Sequence, residues 1–176
     1  NADLRNALSD PTRSVADRAG LVATLLGGKA QPATVLLVQQ ALGVMTAQGG
    51  GRIINVASNA GLNHPPAAPG EGGWGVLYGM VKAAQFRIPG LVRVEYPNQN
   101  ILCFSMNPGF VKTPVIAKMP VFEDAEGGVP GSLPAAVIVW LATSDDAGAY
   151  CTEPIDAVPF AAAHHIVPLG SPTRGI

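Results

Sequence analysis

Tyr78 and Lys82 stand four apart in the stretch LYGMVKAAQ, residues 77–85, whose composition suits a helix. Residues four apart on a helix share a face, with about 5–6 Å between them. A phenol with an ordinary pKa of about 10 is a poor proton acceptor at neutral pH. An ammonium ~5 Å from the phenolate, at an effective dielectric of ~20, favours the charged form by ~3 kcal/mol, roughly 2 pKa units. Such a pair suits proton transfer to and from an oxygen atom. Taken alone it reads more often as a solvated helix pair, and Ser58 alone reads as an ordinary strand-end serine. The elements that carry these residues decide between the readings.

The chain has 176 residues, 48% of them hydrophobic and 13% charged, enough for one domain with a substantial core. Its net charge of −1 offers neither a basic stripe for nucleic acid nor a cationic face for a membrane. Small-molecule chemistry or protein contact remains. Cys103 and Cys151 are too few and too far apart for a disulfide framework or a zinc site, which fits a reducing compartment and predicts a cytoplasmic location. The adjacent pair His164 and His165 has no nearby cysteine or acidic cluster, so no metal site is expected. The longest apolar runs, such as PAAVIVWLA, fall short of the ~20 residues needed to span a bilayer. The chain opens at Asn1 rather than Met, the expected sign of a fragment or a processed chain.

Between Ala19 and Gly70 there is no Asp or Glu, and Lys29 and Arg52 are the only Lys or Arg, so most of this region belongs inside the fold. PATVLLVQQALGVMTAQ predicts a helix over about 32–47 with Pro32 in its first turn. A glycine breaker and a β-branched run then predict a buried parallel strand over about 52–57. The Pro/Gly-rich stretch from Asn59 to Gly75 is long for a connecting loop, and loops of that length tend to be functional. Helical sequence runs from about Val76 to Tyr96, with a kink or break expected at Pro89. NILCFSM predicts a second buried strand over about 100–106, SLPAAVIVWLATSDD a last helix, and 154–158 a weak strand. The alternation implies an α/β fold with parallel strands. In such sheets ligands bind beyond the carboxyl ends of the strands, where Ser58, Asn107-Pro108-Gly109 and the start of the Tyr78 helix all converge.

Together, GRIINVASNAG, YGMVKAA and EYPNQNILCFSMNPGFVKTPV resemble the short-chain dehydrogenase/reductase family over about residues 30–150. The resemblance implies an oxidoreductase that moves a hydride between NAD or NADP and a small alcohol or ketone. It makes Tyr78 the general acid/base, gives Lys82 the nicotinamide ribose, and has Ser58 hydrogen-bond the substrate oxygen. Pro108, Gly109 and Thr113 would line the nicotinamide and phosphate side of the cofactor; read from the residues alone, Thr113 is equally an N-cap for the next segment. The segments 59–75 and 115–133 would shape the substrate pocket.

The chain also departs from the family pattern. No glycine-rich turn of the TGxxxGxG type is present to hold a pyrophosphate. The opening NADL resembles the end of the family's Asn-Asn-Ala-Gly strand, with Asp3 in the glycine place, and Ala30 falls where the family often has an asparagine. The expectation is a partial Rossmann-like, doubly wound parallel sheet lacking its first strands, a domain over 1–160 and a flexible tail over 161–176. Weak cofactor binding and a homodimer or homotetramer are expected with it. The competing reading is a non-catalytic Rossmann remnant that serves as a binding or oligomerisation module.

Overall fold

The computed structural model describes residues 32–114, 116–118 and 127–170, so the readings placed on Asp3 and Ala30 lie outside the described residues. The chain divides into two compact units, 1–50 and 51–176, where the sequence suggests one domain over 1–160. In the first unit α1 (Pro32–Ala47) covers the expected helix. Among the described helices none is long and apolar enough to cross a membrane.

The second unit is built on a three-stranded parallel sheet in the order β1-β2-β3. β1 (Gly51–Val56) and β2 (Ile101–Asn107) run in register from Gly51 opposite Ile101 to Val56 opposite Met106. These are the two strands read from sequence, displaced by one residue. β2 is buried from Cys103 to Asn107 because elements cover both its faces. On one face Phe104 and Met106 meet Val137 and Leu141 of α3 (Ser132–Thr143), together with Ile155 and Ala161. Phe104, Met106, Val137 and Leu141 are fully buried, worth about 1.5–3 kcal/mol each. On the other face, Ser105 reaches α2 (Val76–Glu95).

Arg52 explains itself once the sheet is assembled. Its Nη1 donates at 2.8 Å to both Leu141 O and Ser144 O, satisfying carbonyls at the end of α3 that the helix leaves unpaired.

Three expectations need correction. First, of the kink or break expected at Pro89, there is no break: α2 runs from Val76 to Glu95 with Pro89 inside it. A proline there cannot donate to the carbonyl four residues back, which is Gln85 O. Ser105 Oγ supplies that missing donor from β2 at 2.7 Å, so the helix continues without an orphaned carbonyl. Second, the weak strand is shorter than 154–158: β3 is only Ile155–Asp156, pairing with Met106 and Asn107. Ala157 already begins α4 (Ala157–Ala163), and Pro159 falls in its first turn, where a missing N–H costs nothing. Third, the described part of the expected tail, 161–170, is packed from its start, while 171–176 lie outside the described residues. Ala161 is buried, and His164 sits 4.9 Å from the Trp140 ring, 5.1 Å from Tyr150 and 4.2 Å from Phe160. Ile166 packs on the core and Leu169 N donates to Ser132 O at 3.2 Å. Four aromatic rings gathered from three segments hold this end in place.

Candidate active site

The carboxyl ends of β1 and β2 open into a cleft of ≈ 750 Å³. Ser58, Tyr78, Pro108, Gly109 and Thr113 all line it. Each is held there by local structure that the sequence dictates.

Ser58 follows β1 with extended backbone and caps the 3-10 turn Asn59–Gly61, its Oγ accepting from Ala60 N at 3.3 Å. That bond uses an acceptor lone pair and leaves the hydroxyl proton free to donate. The turn lies hard against α2: a Cβ at Gly61 would come within 2.4 Å of the Lys82 carbonyl carbon. Only glycine permits this approach, and it brings the end of β1 beside the first turns of α2.

Tyr78 lies in the first turn of α2 and is 48% exposed, so its ring borders the cleft and stays open to solvent. Lys82 follows one turn later and is not part of the cleft lining. Its Nζ donates to Val56 O at 3.0 Å and stands 5.7 Å from the centre of the Tyr78 ring. The expected helical pair therefore forms, with the ammonium fastened to the last carbonyl of β1. An ammonium has three donors, so two remain after this bond.

At the end of β2, buried Asn107 is a brace. Its Nδ2 donates to Asp156 Oδ1 at 2.7 Å, and its Oδ1 accepts from Gly109 N at 3.4 Å. Gly109 has φ +78°, and a Cβ there would meet Val158 Cγ2 at 3.1 Å, so the turn seats directly on α4. Thr113 Oγ1 accepts from Ile116 N at 3.2 Å. This is the capping bond that the residue alone suggested, and the hydroxyl proton remains available toward the cleft.

Asn107, Trp74 and Phe110 also line the cleft; sequence reasoning placed Asn107 at this edge without a role, held Trp74 only as part of the 59–75 loop, and did not single out Phe110. Asn107 had a signal, since it ends a buried strand and precedes Pro-Gly. Trp74 had one too: it is a lone aromatic among glycines, in GGWG, within the long loop.

The Pro108–Gly109 turn lines one side of the cleft, with Val158 packed against Gly109, and the two spare donors of Lys82 lie one turn behind Tyr78. The described residues thus fit the nicotinamide and ribose end of a dinucleotide. Among the described residues there is no glycine-rich turn of the TGxxxGxG type to hold its phosphates.

A three-stranded parallel sheet covered by helices defines a Rossmann-like α/β fold. The family follows from sequence: the short chain dehydrogenase model matches residues 31–123, and the chain belongs to that family. Over 81 residues it is 33% identical to the 7alpha-hydroxysteroid dehydrogenase of Bacteroides fragilis, covering 46% of this chain and 29% of that protein. Over 83 residues it is 40% identical to the cyclohexanol dehydrogenase of an Acinetobacter species, covering 46% and 28%. A shorter stretch of 42 residues, 24% of this chain and 15% of the relative, is 60% identical to ATP synthase subunit delta of a Nocardioides species. Among solved structures, an angucycline C-6 ketoreductase with bound NADP matches with TM-score 0.57 at 27% identity, over 86% of this chain and 55% of that one. The chain thus spans under a third of the dehydrogenases it matches and about half of the solved ketoreductase.

Proposed function

We propose that this chain carries the catalytic side of an oxidoreductase that moves a hydride between NAD or NADP and an alcohol or ketone. One observation carries the reading: Ser58 and Tyr78 face a single cleft at the carboxyl ends of β1 and β2, with Lys82 one helical turn behind. The names of the two dehydrogenases and the NADP bound to the ketoreductase support it.

A bound nicotinamide nucleotide would supply hydride to the carbonyl carbon in reduction or accept it from the carbinol carbon in oxidation. The chain's own residues manage the oxygen. Ser58 donates its free proton to the substrate oxygen and fixes its position. Tyr78 gives a proton to that oxygen during reduction and accepts one during oxidation. Lys82, held by its bond to Val56 O, would offer its two spare donors to the ribose hydroxyls. Pro108 and Gly109 would line the nicotinamide side of the cofactor and Thr113 its phosphate side.

Binding to the 176-residue chain alone should be no tighter than roughly millimolar, because several charge-assisted phosphate bonds worth ~1.5–3 kcal/mol each are unaccounted for. Titrating NADH and NADPH while following nicotinamide fluorescence tests this. Binding weakened further by Lys82→Met supports the assignment; micromolar binding indifferent to Lys82→Met contradicts it.

The second reading, a binding or oligomerisation module, also has an observation in its favour. Val76, Leu77 and Met80 at the start of α2 are 78%, 79% and 64% exposed. Such an apolar row invites a partner, and a second copy of the chain is the simplest one.

A further inference from the structure

We propose that a side pocket adjoining the cleft holds a protonated amine on the substrate, with Asp156 as its counter-ion, so that the chain acts on an amino alcohol or amino ketone. The proposal rests on the oxidoreductase reading of the cleft and names the substrate class of that site.

Position is the first observation. A second cavity, of ≈ 210 Å³, is bordered by Asn59, Asn107 and Gly109, which also border the cleft, and by Asp156 and Pro159. The two spaces are therefore neighbours. Asp156 pairs with Asn107 across β2 and β3, and Met106 pairs with Val56 across β1 and β2, so Asp156 lies two strands from the end of β1 that leads to Ser58. That is roughly 9–10 Å; less a hydrogen bond at each end, it leaves room for about four bonds between the reacting carbon and an amine.

Charge is the second. Among the described residues that border either space, Asp156 alone is Asp, Glu, Lys, Arg or His. The other polar side-chain groups are the Ser58, Tyr78 and Thr113 hydroxyls, the Asn59 and Asn107 amides and Trp74 Nε1. Those are neutral and serve a hydroxyl on the substrate well. Only Asp156 tells an ammonium from a hydroxyl, and it opposes a second carboxylate.

The third is how Asp156 is held. It stands at the N-cap of α4, yet its side chain caps no amide. Pro159, three residues on, has no N–H to offer it. Asp156 Oδ1 accepts instead from Asn107 Nδ2 at 2.7 Å, and the buried Asn107 thereby fixes the carboxylate before any ligand arrives. No cation pairs with Asp156 among the described residues. A carboxylate has about four acceptor sites, so this bond leaves most of them open. The Asn59 side chain borders both spaces, makes no hydrogen bond among the described residues, and adds an acceptor oxygen. Asp156 is exposed, so solvent partly screens the pair and its effect is a preference of moderate size.

The test is a set of matched alcohols titrated by calorimetry into the whole chain, with millimolar NADH or NADPH present so that they are not oxidised. Each is pentan-2-ol bearing one terminal group: dimethylammonium, isopropyl, hydroxyl or carboxylate. The ammonium, four bonds from the carbinol carbon, should bind at least about fivefold more tightly than the hydroxyl, and the carboxylate should bind most weakly. Asp156→Asn keeps an oxygen for Asn107 and removes the charge; it should weaken the ammonium at least about fivefold relative to its isopropyl isostere. Glu153 borders a separate cavity that Asp156 also touches, and Glu153→Gln should leave the ranking in place. An ammonium that binds no better than the hydroxyl and the carboxylate in the unaltered chain overturns the proposal, even if Asp156→Asn does not fold. A preference that survives in a folded Asp156→Asn, or that is lost in Glu153→Gln, overturns it as well. Nicotinamide-dependent turnover without the ammonium preference contradicts only this inference, and the preference without turnover contradicts only the oxidoreductase reading.

Discussion

Cys103 shows how far a residue's surroundings reach into its chemistry. It is 2% exposed on β2, and burial, followed by the neighbouring Cys151, pushes its thiol up from 9.0 to about 11. The Cys151 thiol is also raised, chiefly by burial. The folded chain holds the Cys103 proton more tightly than the unfolded chain does. Its stabilising contribution is therefore complete below about pH 9 and is lost as pH rises through about 11, an effect of roughly 2–3 kcal/mol. Urea unfolding at about pH 8 and about pH 10.5 should show a smaller alkaline loss in Cys103→Ala than in the parent. Equal losses in the two proteins would count against that assignment. At this scale sequence was a partial guide. Tyr78 and Lys82 announce themselves by helical spacing, and Ser58 by its place after a β-branched run. Trp74 is marked only as a lone aromatic in the 59–75 loop; a single aromatic in a Pro/Gly loop has no period to reveal which way it faces, and its wall position depends on α2 and Gly79.

Elements were legible where one local rule decides and illegible where distant partners do. β1 and β2 follow from short buried runs of apolar residues. The uninterrupted α2 does not, because the group that rescues it, Ser105, belongs to another element. The segment after 160 was misjudged for the same reason: its anchors at Trp140 and Tyr150 precede it by many residues. The Pro89 account makes a double-mutant prediction. Ser105→Ala should cost about 1–3 kcal/mol, since it leaves the part-buried Gln85 carbonyl unpaired. Pro89→Ala restores a backbone donor to that carbonyl, so Ser105→Ala made in that background should cost at least about 1 kcal/mol less. Additive losses in chemical denaturation would mean that the hydroxyl and the proline act independently.

At the scale of the molecule, the family and its parallel sheet were readable from three motifs in order, whereas the division at residue 50 was not, because α1 and β1 read as one continuous alternation. The exposed row on α2 argues for self-association. Sedimentation should find dimers or tetramers at roughly tens of micromolar, weakened when Leu77 and Met80 are replaced by Gln, and a clean monomer would remove that expectation. The central claim is that Tyr78 exchanges a proton with the substrate oxygen in a nicotinamide-dependent reaction. The most direct measurement is steady-state turnover of a cyclic ketone at millimolar NADH or NADPH, followed by nicotinamide absorbance. It compares the parent with Tyr78→Phe, each carrying whatever coding sequence flanks residues 1–176 in its own gene. The account predicts turnover in the parent and a kcat lower by about a hundredfold to ten-thousandfold in Tyr78→Phe, with KM little changed. Turnover that survives Tyr78→Phe undiminished would contradict it.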